Sequence, residues 1–349
     1  MGGCVAQVGY GYWGHNQARN LNTLAGRSWR YLVEPVAQRR AQAAALYPHL
    51  RTTDSLDEML ADPDVVAVVI VTPAATHAPL ARRVLDAGKH VLVEKPLALR
   101  TADAVDLTER AERAGLVLMV GHTFEFVPAI QRMRDFVVDG EVGDLLYLHA
   151  QRLNLGRIQQ DINAFWSIGP HDVSIANYLT GADPQWVSAR GARYLNQDVE
   201  DVIFVTVGYP GGVLAHMHVS WLDPTKTRRT TVVGSKRMLV YDDLDTEAKL
   251  RVFDKGADRL AADAYGAWQY RLRDGAMYAP ALPMVEPLAA QLSHFLDCVH
   301  SGHKPRVDGW NGVRVVAALE AADASLRADG ARTPVRLPAA AARLDSEVR

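Results

Sequence analysis

The stretch Gly9-Tyr-Gly-Tyr-Trp-Gly14 constrains this chain more than any other. It follows a short apolar strand signal, Cys4-Val-Ala-Gln-Val8, and precedes helical sequence from Asn16 to Leu24. A second strand signal, Tyr31-Leu32-Val33, ends in Glu34. That acid lies at the roughly twenty-residue distance from the glycines at which a carboxylate grips an adenosine ribose. In this reading Gly9 permits the tight turn, Gly11 lets the backbone approach a pyrophosphate, and Gly14 lets the helix pack close to the strand. The phosphates then rest on helix N–H groups. Glu34 would accept hydrogen bonds from the 2′- and 3′-hydroxyls and repel a 2′-phosphate, which favours NAD over NADP. Arg39 and Arg40, just downstream, soften that preference. The alternative is a glycine turn beside a surface glutamate, and the ordered strand, helix, strand and acid weigh against it.

The alternation continues. Ser55 to Leu60 reads as a helix with Asp54 as its N-cap. Val65-Val-Ala-Val-Val-Ile-Val71 is a continuous apolar run, as expected of a parallel strand buried on both faces. A helix through Leu85 stops at Gly88, the strand His90 to Val93 follows, then a helix from about Ala102 to Ala114 and the strand Leu116 to Val120. Repeated β-α-β units mean a doubly wound parallel sheet. Ligands of such sheets bind outside the carboxyl ends of the strands. The residues expected there are Thr72, Pro73, Ala74, His77, Glu94, Lys95, Pro96 and His122, with Tyr10, Tyr12 and Trp13 in the glycine turn; together with the glycines and Glu34 they are the expected cofactor-binding set. His77 either touches the cofactor or finishes the Thr72-Pro73 turn. Lys95 either works in the crevice or is a strand-end lysine with its ammonium in water.

The chain has 349 residues, enough for two domains, with 48% apolar and 22% charged residues, the profile of a globular protein. A net charge of −2 argues against a nucleic-acid partner. Cys4 and Cys298 are too few for a disulfide framework and suit a reducing compartment. The early apolar run Val65–Val71 is far too short for a membrane span, and the N-terminus leads straight into a strand. The expected location is cytoplasmic, with no membrane partner.

Beyond residue 123 the pattern changes. Ile130, Met133, Phe136 and Val137 share one helical face. Strand signals follow at Leu145–Leu153, Trp186–Tyr194, Val202–Gly208, Val213–Trp221, Thr230–Val233 and Met238–Tyr241, several alternating apolar with polar. Hairpin-type turns join some of them, so a mostly antiparallel sheet with one wet face is expected. Among them lies Phe165-Trp-Ser-Ile-Gly-Pro-His-Asp-Val-Ser-Ile-Ala-Asn-Tyr-Leu179. Pro170 suits a first helical turn, which puts His171 at a helix N-terminus, where the dipole disfavours protonation and an imidazole can serve as general base. Arg152, Asn154, Arg157 and Asn163 supply donors suited to sugar hydroxyls or a diphosphate, or form an ordinary solvated loop. His216 and His218 share a strand face, but two histidines make a poor metal site, and no metal is expected.

These residues resemble the Gfo/Idh/MocA oxidoreductases, the family of glucose–fructose oxidoreductase and inositol dehydrogenase. The matching pieces are VGYGYWG, VTPAATH, GKHVLVEKPLA, GHTFEFVPA, GEVGDLLYL and the PHDVSI helix, and later VSWLDPTKTRRTTVVGSKRMLVYDD and SGHKPRVDG, which look like a nucleotide-sugar branch. The likeness runs from Cys4 to about Pro338. It implies an α/β Rossmann domain (1–123), an α+β domain with a large, mostly antiparallel open-faced sheet (124–338) that often mediates oligomerisation, and a tail (339–349). It also implies hydride transfer between a sugar or cyclitol carbon and NAD, with Lys95 and His171 catalytic and the Lys95–Pro96 bond often cis. The family often has an aspartate four residues before the histidine; here that position is Ser167.

The resulting expectation is an NAD-dependent dehydrogenase acting on C3 of a nucleotide-linked sugar. Lys95 would stabilise the developing alkoxide, His171 would take the hydroxyl proton, and Arg157, Asn163 and Ser167 would join them in binding the sugar. The two catalytic side chains are expected to converge on one carbinol. Two alternatives stay open: a ketosugar reductase of deoxysugar, aminosugar or aminoglycoside assembly, and a non-catalytic NAD-binding regulator. A homodimer or homotetramer is expected.

Overall fold

The computed structural model describes residues 3–156, 158–195, 197–259 and 270–342. The chain divides into two compact units, Met1–Phe126 with Val285–Ala317, and Val127–Met284 with Ala318–Arg349.

The first unit alternates strand and helix: β1 (Cys4–Val8), α1 (Gly14–Ala25), β2 (Trp29–Val33), α2 (Ala37–Leu46), β3 (Arg51–Thr53), α3 (Leu56–Ala61), β4 (Val65–Ile70), α4 (His77–Asp86), β5 (His90–Val93), α5 (Thr101–Ala114) and β6 (Leu118–Val120). Among the described residues these strands pair in the order β3-β2-β1-β4-β5-β6, every neighbour parallel. The central strands are apolar on both faces: Val5, Ala6, Ala67, Val68, Val69, Ile70, Val91, Leu92 and Val93 are fully buried. That burial explains the unbroken apolar runs in the sequence. One local expectation is corrected. The N-cap of α3 is Ser55, whose hydroxyl accepts from the Glu58 N–H at 3.2 Å, and Asp54 lies outside the helix. The Ser55 N–H donates to the Thr53 hydroxyl oxygen at 3.1 Å, and that hydroxyl donates to Glu58 at 2.6 Å.

The units do not follow chain order. Residues 285–317 fall in the first unit, where the sequence reading placed them with 124–338. The physical reason is the short edge strand β6. The Val120 N–H donates to the Val307 carbonyl at 3.0 Å, and Met119 bridges to Asp308, so the returning segment covers an edge that would otherwise be bare.

The second unit contains α6 (Pro128–Val138), β7 (Leu145–Leu153), α7 (Ala164–Ile168), α8 (Pro170–Thr180), β8 (Trp186–Ala192), β9 (Val202–Gly208), β10 (Leu214–Ser220), β11 (Thr227–Gly234), β12 (Met238–Asp242), β13 (Leu250–Arg259) and β14 (Tyr270–Tyr278). Downstream come α9 (Pro287–Ser301), α10 (Gly309–Arg327), β15 (Thr333–Pro334) and α11 (Ala339–Ala342); α9 belongs to the first unit, and the division falls inside α10. The described strands form one sheet, β14-β13-β12-β11-β7-β10-β9-β8-β15, antiparallel except between β7 and β10. Alternation sets its two faces. Leu148, Ala150, Val205, Ala215 and Met217 are buried, while Phe204 and His216 are exposed. His216 lies 5.7 Å from His149 across the β7–β10 pair, and His218 stacks on Phe204 at 4.3 Å. Among the described residues no helix is long and apolar enough to cross a membrane. No group of three or more His, Cys, Asp or Glu side chains there could hold a metal.

Candidate active site

The first unit gathers its polar groups at the carboxyl ends of its parallel strands. β1 runs into Gly9, whose φ of 99° is open to glycine. A side chain there would clash with the Val71 carbonyl, and one at Gly14 would lie 2.8 Å from the Gly9 carbonyl. Gly11 differs: a Cβ built on it meets no protein atom within 4 Å. Packing within the protein therefore does not require glycine at position 11, and the space beside it is open to a ligand. Gln7 braces the turn, its amide donating to the carbonyls of Gly9 at 2.8 Å and Gly14 at 3.0 Å.

Glu34 follows β2. Its carboxylate is almost fully buried and accepts from the backbone N–H groups of Tyr10 at 2.7 Å and Val36 at 3.0 Å. Each oxygen keeps acceptor capacity for a ribose hydroxyl. Arg39 stands 3.7 Å from it, while Arg40 donates to the carbonyls of Glu34 and Pro35. The residues present thus fit a dinucleotide: a turn open at Gly11, a helix N-terminus behind it and a carboxylate at the end of β2.

Thr72, Pro73 and Ala74 form the turn after β4, with the Thr76 hydroxyl donating to Thr72 at 2.7 Å. His77 is buried, and its nitrogens face two carbonyls, Nδ1 to Pro96 at 2.7 Å and Nε2 to Thr72 at 2.9 Å. Of its two sequence readings, these contacts are the turn-closing one: the ring links the loops after β4 and β5. The Lys95–Pro96 bond is cis. Glu94 is buried at the end of β5, and its Oε1 accepts from the indole N–H of Trp13 at 2.9 Å and the amide of Gln17 at 2.8 Å. Its Oε2 accepts from the Lys95 N–H at 3.2 Å. Burial raises the Glu94 pKa, and the charge of Lys95 and the three donors act against that rise. His122, after β6, is buried with neither ring nitrogen paired among the described residues. Burial, then the nearby charge of Lys95, pushes it down to about 3, so it is neutral. Tyr10 is buried, whereas Tyr12 and Trp13 are exposed.

In the second unit Pro170 opens α8 and His171 is its second residue, half-buried. Asp172, next in the chain, is held by Arg152 of β7, whose Nε and Nη2 donate to the carboxylate at 2.8–3.1 Å. Burial works against the charge of Arg152, but Asp172 overrides it and the Arg152 pKa is raised. Ser167 lies on α7, one turn before α8, and its hydroxyl accepts from Gln159 at 2.9 Å. Asn163 caps α7, accepting from the Trp166 N–H at 3.0 Å and donating to Asp323 at 3.1 Å. Much of its hydrogen-bonding capacity therefore goes to the fold. Arg157 lies outside the described residues.

Sequence reasoning passed over Gln7, Gln17, Asp172 and Asp323. Gln17 had a signal, being four residues after Trp13 and so on the same side of a helical turn. Asp323 had none, because it meets Trp166 and Asn163 only through the tertiary fold.

An all-parallel sheet with a glycine turn and a buried carboxylate after its second strand, in a chain that continues into a sheet-and-helix unit, defines a Rossmann-type nucleotide-binding fold. Comparison with known proteins narrows this. Residues 4–122 match the model of the oxidoreductase family with an NAD-binding Rossmann fold, and residues 130–240 match the GFO/IDH/MocA C-terminal domain. The chain is 31% identical over 316 residues to UDP-N-acetylglucosamine 3-dehydrogenase of Acidithiobacillus ferrooxidans, covering 89% of this chain and 93% of that one. The solved structure of that enzyme superposes with a TM-score of 0.79 at 28% identity, covering 93% and 97%. GenD2 from gentamicin A biosynthesis, solved in complex with NAD, gives 0.79 at 27% identity, covering 96% and 97%. Scyllo-inositol 2-dehydrogenase (NAD(+)) of Bacillus subtilis is 26% identical over 314 residues, covering 86% and 87%. The chain belongs to the Gfo/Idh/MocA oxidoreductase family.

Proposed function

We propose that the chain is an NAD-dependent sugar dehydrogenase that removes hydride from a carbinol carbon, C3 of a nucleotide-linked sugar, with Lys95 and His171 as its catalytic residues. The observation that carries this is the Glu94-Lys95-Pro96 turn, a lysine beside a buried carboxylate at the carboxyl end of a central parallel strand. The likeness to UDP-N-acetylglucosamine 3-dehydrogenase supplies the substrate class.

The bound nicotinamide supplies the hydride acceptor. The Lys95 ammonium donates to the hydroxyl oxygen as it takes on alkoxide character. His171 removes the hydroxyl proton as general base. Ser167, Asn163 and Arg157 complete the sugar site in this reading, with Ser167 in place of a carboxylate. Glu34 sets the preference for NAD by facing the ribose hydroxyls and repelling a 2′-phosphate. The working assembly is a homodimer or homotetramer, which light scattering measures directly.

Incubation of the purified protein with NAD and UDP-N-acetylglucosamine should generate the NADH absorbance band. Lys95→Ala should lose at least about a hundredfold in turnover, the low end of what one catalytic proton-handling group contributes, and keep NAD affinity within about twofold. Full turnover in that variant would remove Lys95 from the chemistry. The likeness to GenD2 favours a second reading, a ketosugar reductase of aminoglycoside assembly; NADH oxidation by a 3-keto nucleotide sugar, without the forward reaction, would select it. Tight NAD binding with no hydride transfer to or from any sugar or cyclitol would indicate a regulator instead.

A further inference from the structure

The carboxylate of Glu94 is an unusual object for the end of a central strand. It is buried, lies against Gly121 of the neighbouring strand end, where an added Cβ would sit 3.0 Å from its Oε2, and collects three N–H donors. Two of those donors come from side chains outside the β5 turn. Gln17 reaches it from α1, and Trp13 from the glycine turn itself, which holds its indole partly in solvent while spending the N–H inward.

We propose that Trp13 and Gln17 are positioning residues that keep Glu94 ionised, so that the ammonium of Lys95 always faces a fixed counter-charge in the crevice. This deepens the reading of Lys95 under Proposed function and rests on it. The chemistry is direct. A carboxylate with both oxygens on N–H donors is favoured as the anion, because donors stabilise the charged form and a neutral acid would have to turn its O–H toward one of them. Phenylalanine at 13 would keep the ring and lose only the donor. One charged group, Lys95, acts on Glu94. Lys95 favours the anion, and His122, following Gly121, is neutral at working pH. The arrangement also ties the glycine turn to the lysine turn by one hydrogen bond across 81 residues of sequence.

The test needs no sugar. Infrared difference spectra taken across a pH titration of the whole enzyme show the carbonyl stretch of a neutral buried carboxylic acid, and Glu94→Gln identifies the Glu94 band by removing it. In Trp13→Phe and in Gln17→Leu that band should grow in at a pH roughly one to two units higher than in the parent, the shift that corresponds to losing one hydrogen bond to a charged group. Both variants should fold and unfold cooperatively, with a melting temperature lowered by no more than about 10 °C, as a shift of one to two pKa units in one buried group implies. Where sugar turnover is measurable, the acid limb of kcat should move up with the band. A band that titrates at the parent's pH in both folded variants overturns the inference and leaves the proposed reaction standing. Full turnover in Lys95→Ala overturns the reaction and leaves the titration result intact.

Discussion

Arg152 donates through Nε and Nη2 to the carboxylate of Asp172, and Asp172 directly follows His171 at the start of α8. Both partners are buried, with side chains 8% and 2% exposed. The pair therefore fixes the backbone that carries the histidine to the middle of the sheet. Leaving either charge alone in that setting is costly. Arg152→Leu should destabilise the protein by about 3–5 kcal/mol in urea unfolding. The double variant Arg152→Leu/Asp172→Leu should recover most of that stability, because apolar pairs commonly replace buried ion pairs at little cost. Its turnover should stay low if α8 needs the pair for placement. Equal stability in the single variant and the parent would show that the pair contributes nothing.

The depressed pKa of His122 makes stability acid-sensitive. Unfolded, the ring titrates near 6.5; folded, it titrates at about 3. The folded state therefore disfavours the proton. The His122 contribution is complete above pH 6.5 and is lost as pH falls toward 3. Between pH 6.5 and 4.5 this one group should remove roughly 2 kcal/mol. His122→Phe should flatten that part of the profile by one proton, as read by urea unfolding at the two pH values. An unchanged slope would mean that the ring is charged in the fold.

Glu34 meets two backbone N–H groups and faces Arg39, so its removal has two effects. Glu34→Gln retains an acceptor and removes the negative charge. NADP should then gain on NAD by about tenfold, the equivalent of about 1.4 kcal/mol, as a repulsive element is deleted. Calorimetric titration with both dinucleotides measures the ratio. Parent protein that binds NADP as tightly as NAD would refute the preference.

Gly9 and Gly11 should respond in opposite ways. Gly9→Ala places a side chain on the Val71 carbonyl at a φ of 99°, so a stability loss of about 1–3 kcal/mol or more is expected. Gly11→Ala meets no protein atom within 4 Å and should leave stability within about 0.5 kcal/mol. Its NAD affinity should nevertheless fall at least about tenfold, because the methyl group occupies the space in which a pyrophosphate approaches the turn. Thermal unfolding and NAD titration separate the two. A Gly11→Ala variant that binds NAD normally would remove that role.

Local chemistry made much of the first unit legible. Strands buried on both faces must be apolar throughout, so Val65–Ile70 and His90–Val93 announce themselves, and the turn at Gly9 needs a residue without a side chain. The end of β5 is legible too, because two charges and a proline interrupt its apolar run at Glu94-Lys95-Pro96. In the second unit the alternation along Leu145–Leu153 and Val202–Gly208 was equally plain. The segment that returns to cover β6, the strands β13 and β14, and the cap at Ser55 were not read from it.

What the sequence by itself determined is the set of local conformations and the chemical identity of the groups at each strand end, since period, turn residues and burial act over a few positions. Tertiary structure alone decided which of those groups share hydrogen bonds. The Trp13 indole on Glu94, the Pro96 carbonyl on His77, Arg152 on Asp172 and Trp166 on Asp323 join residues 19 to 157 positions apart. A donor buried without water must take whichever acceptor the topology brings within about 3 Å. No local pattern encodes that choice, because it is made by the stacking of strands and helices far apart in the chain.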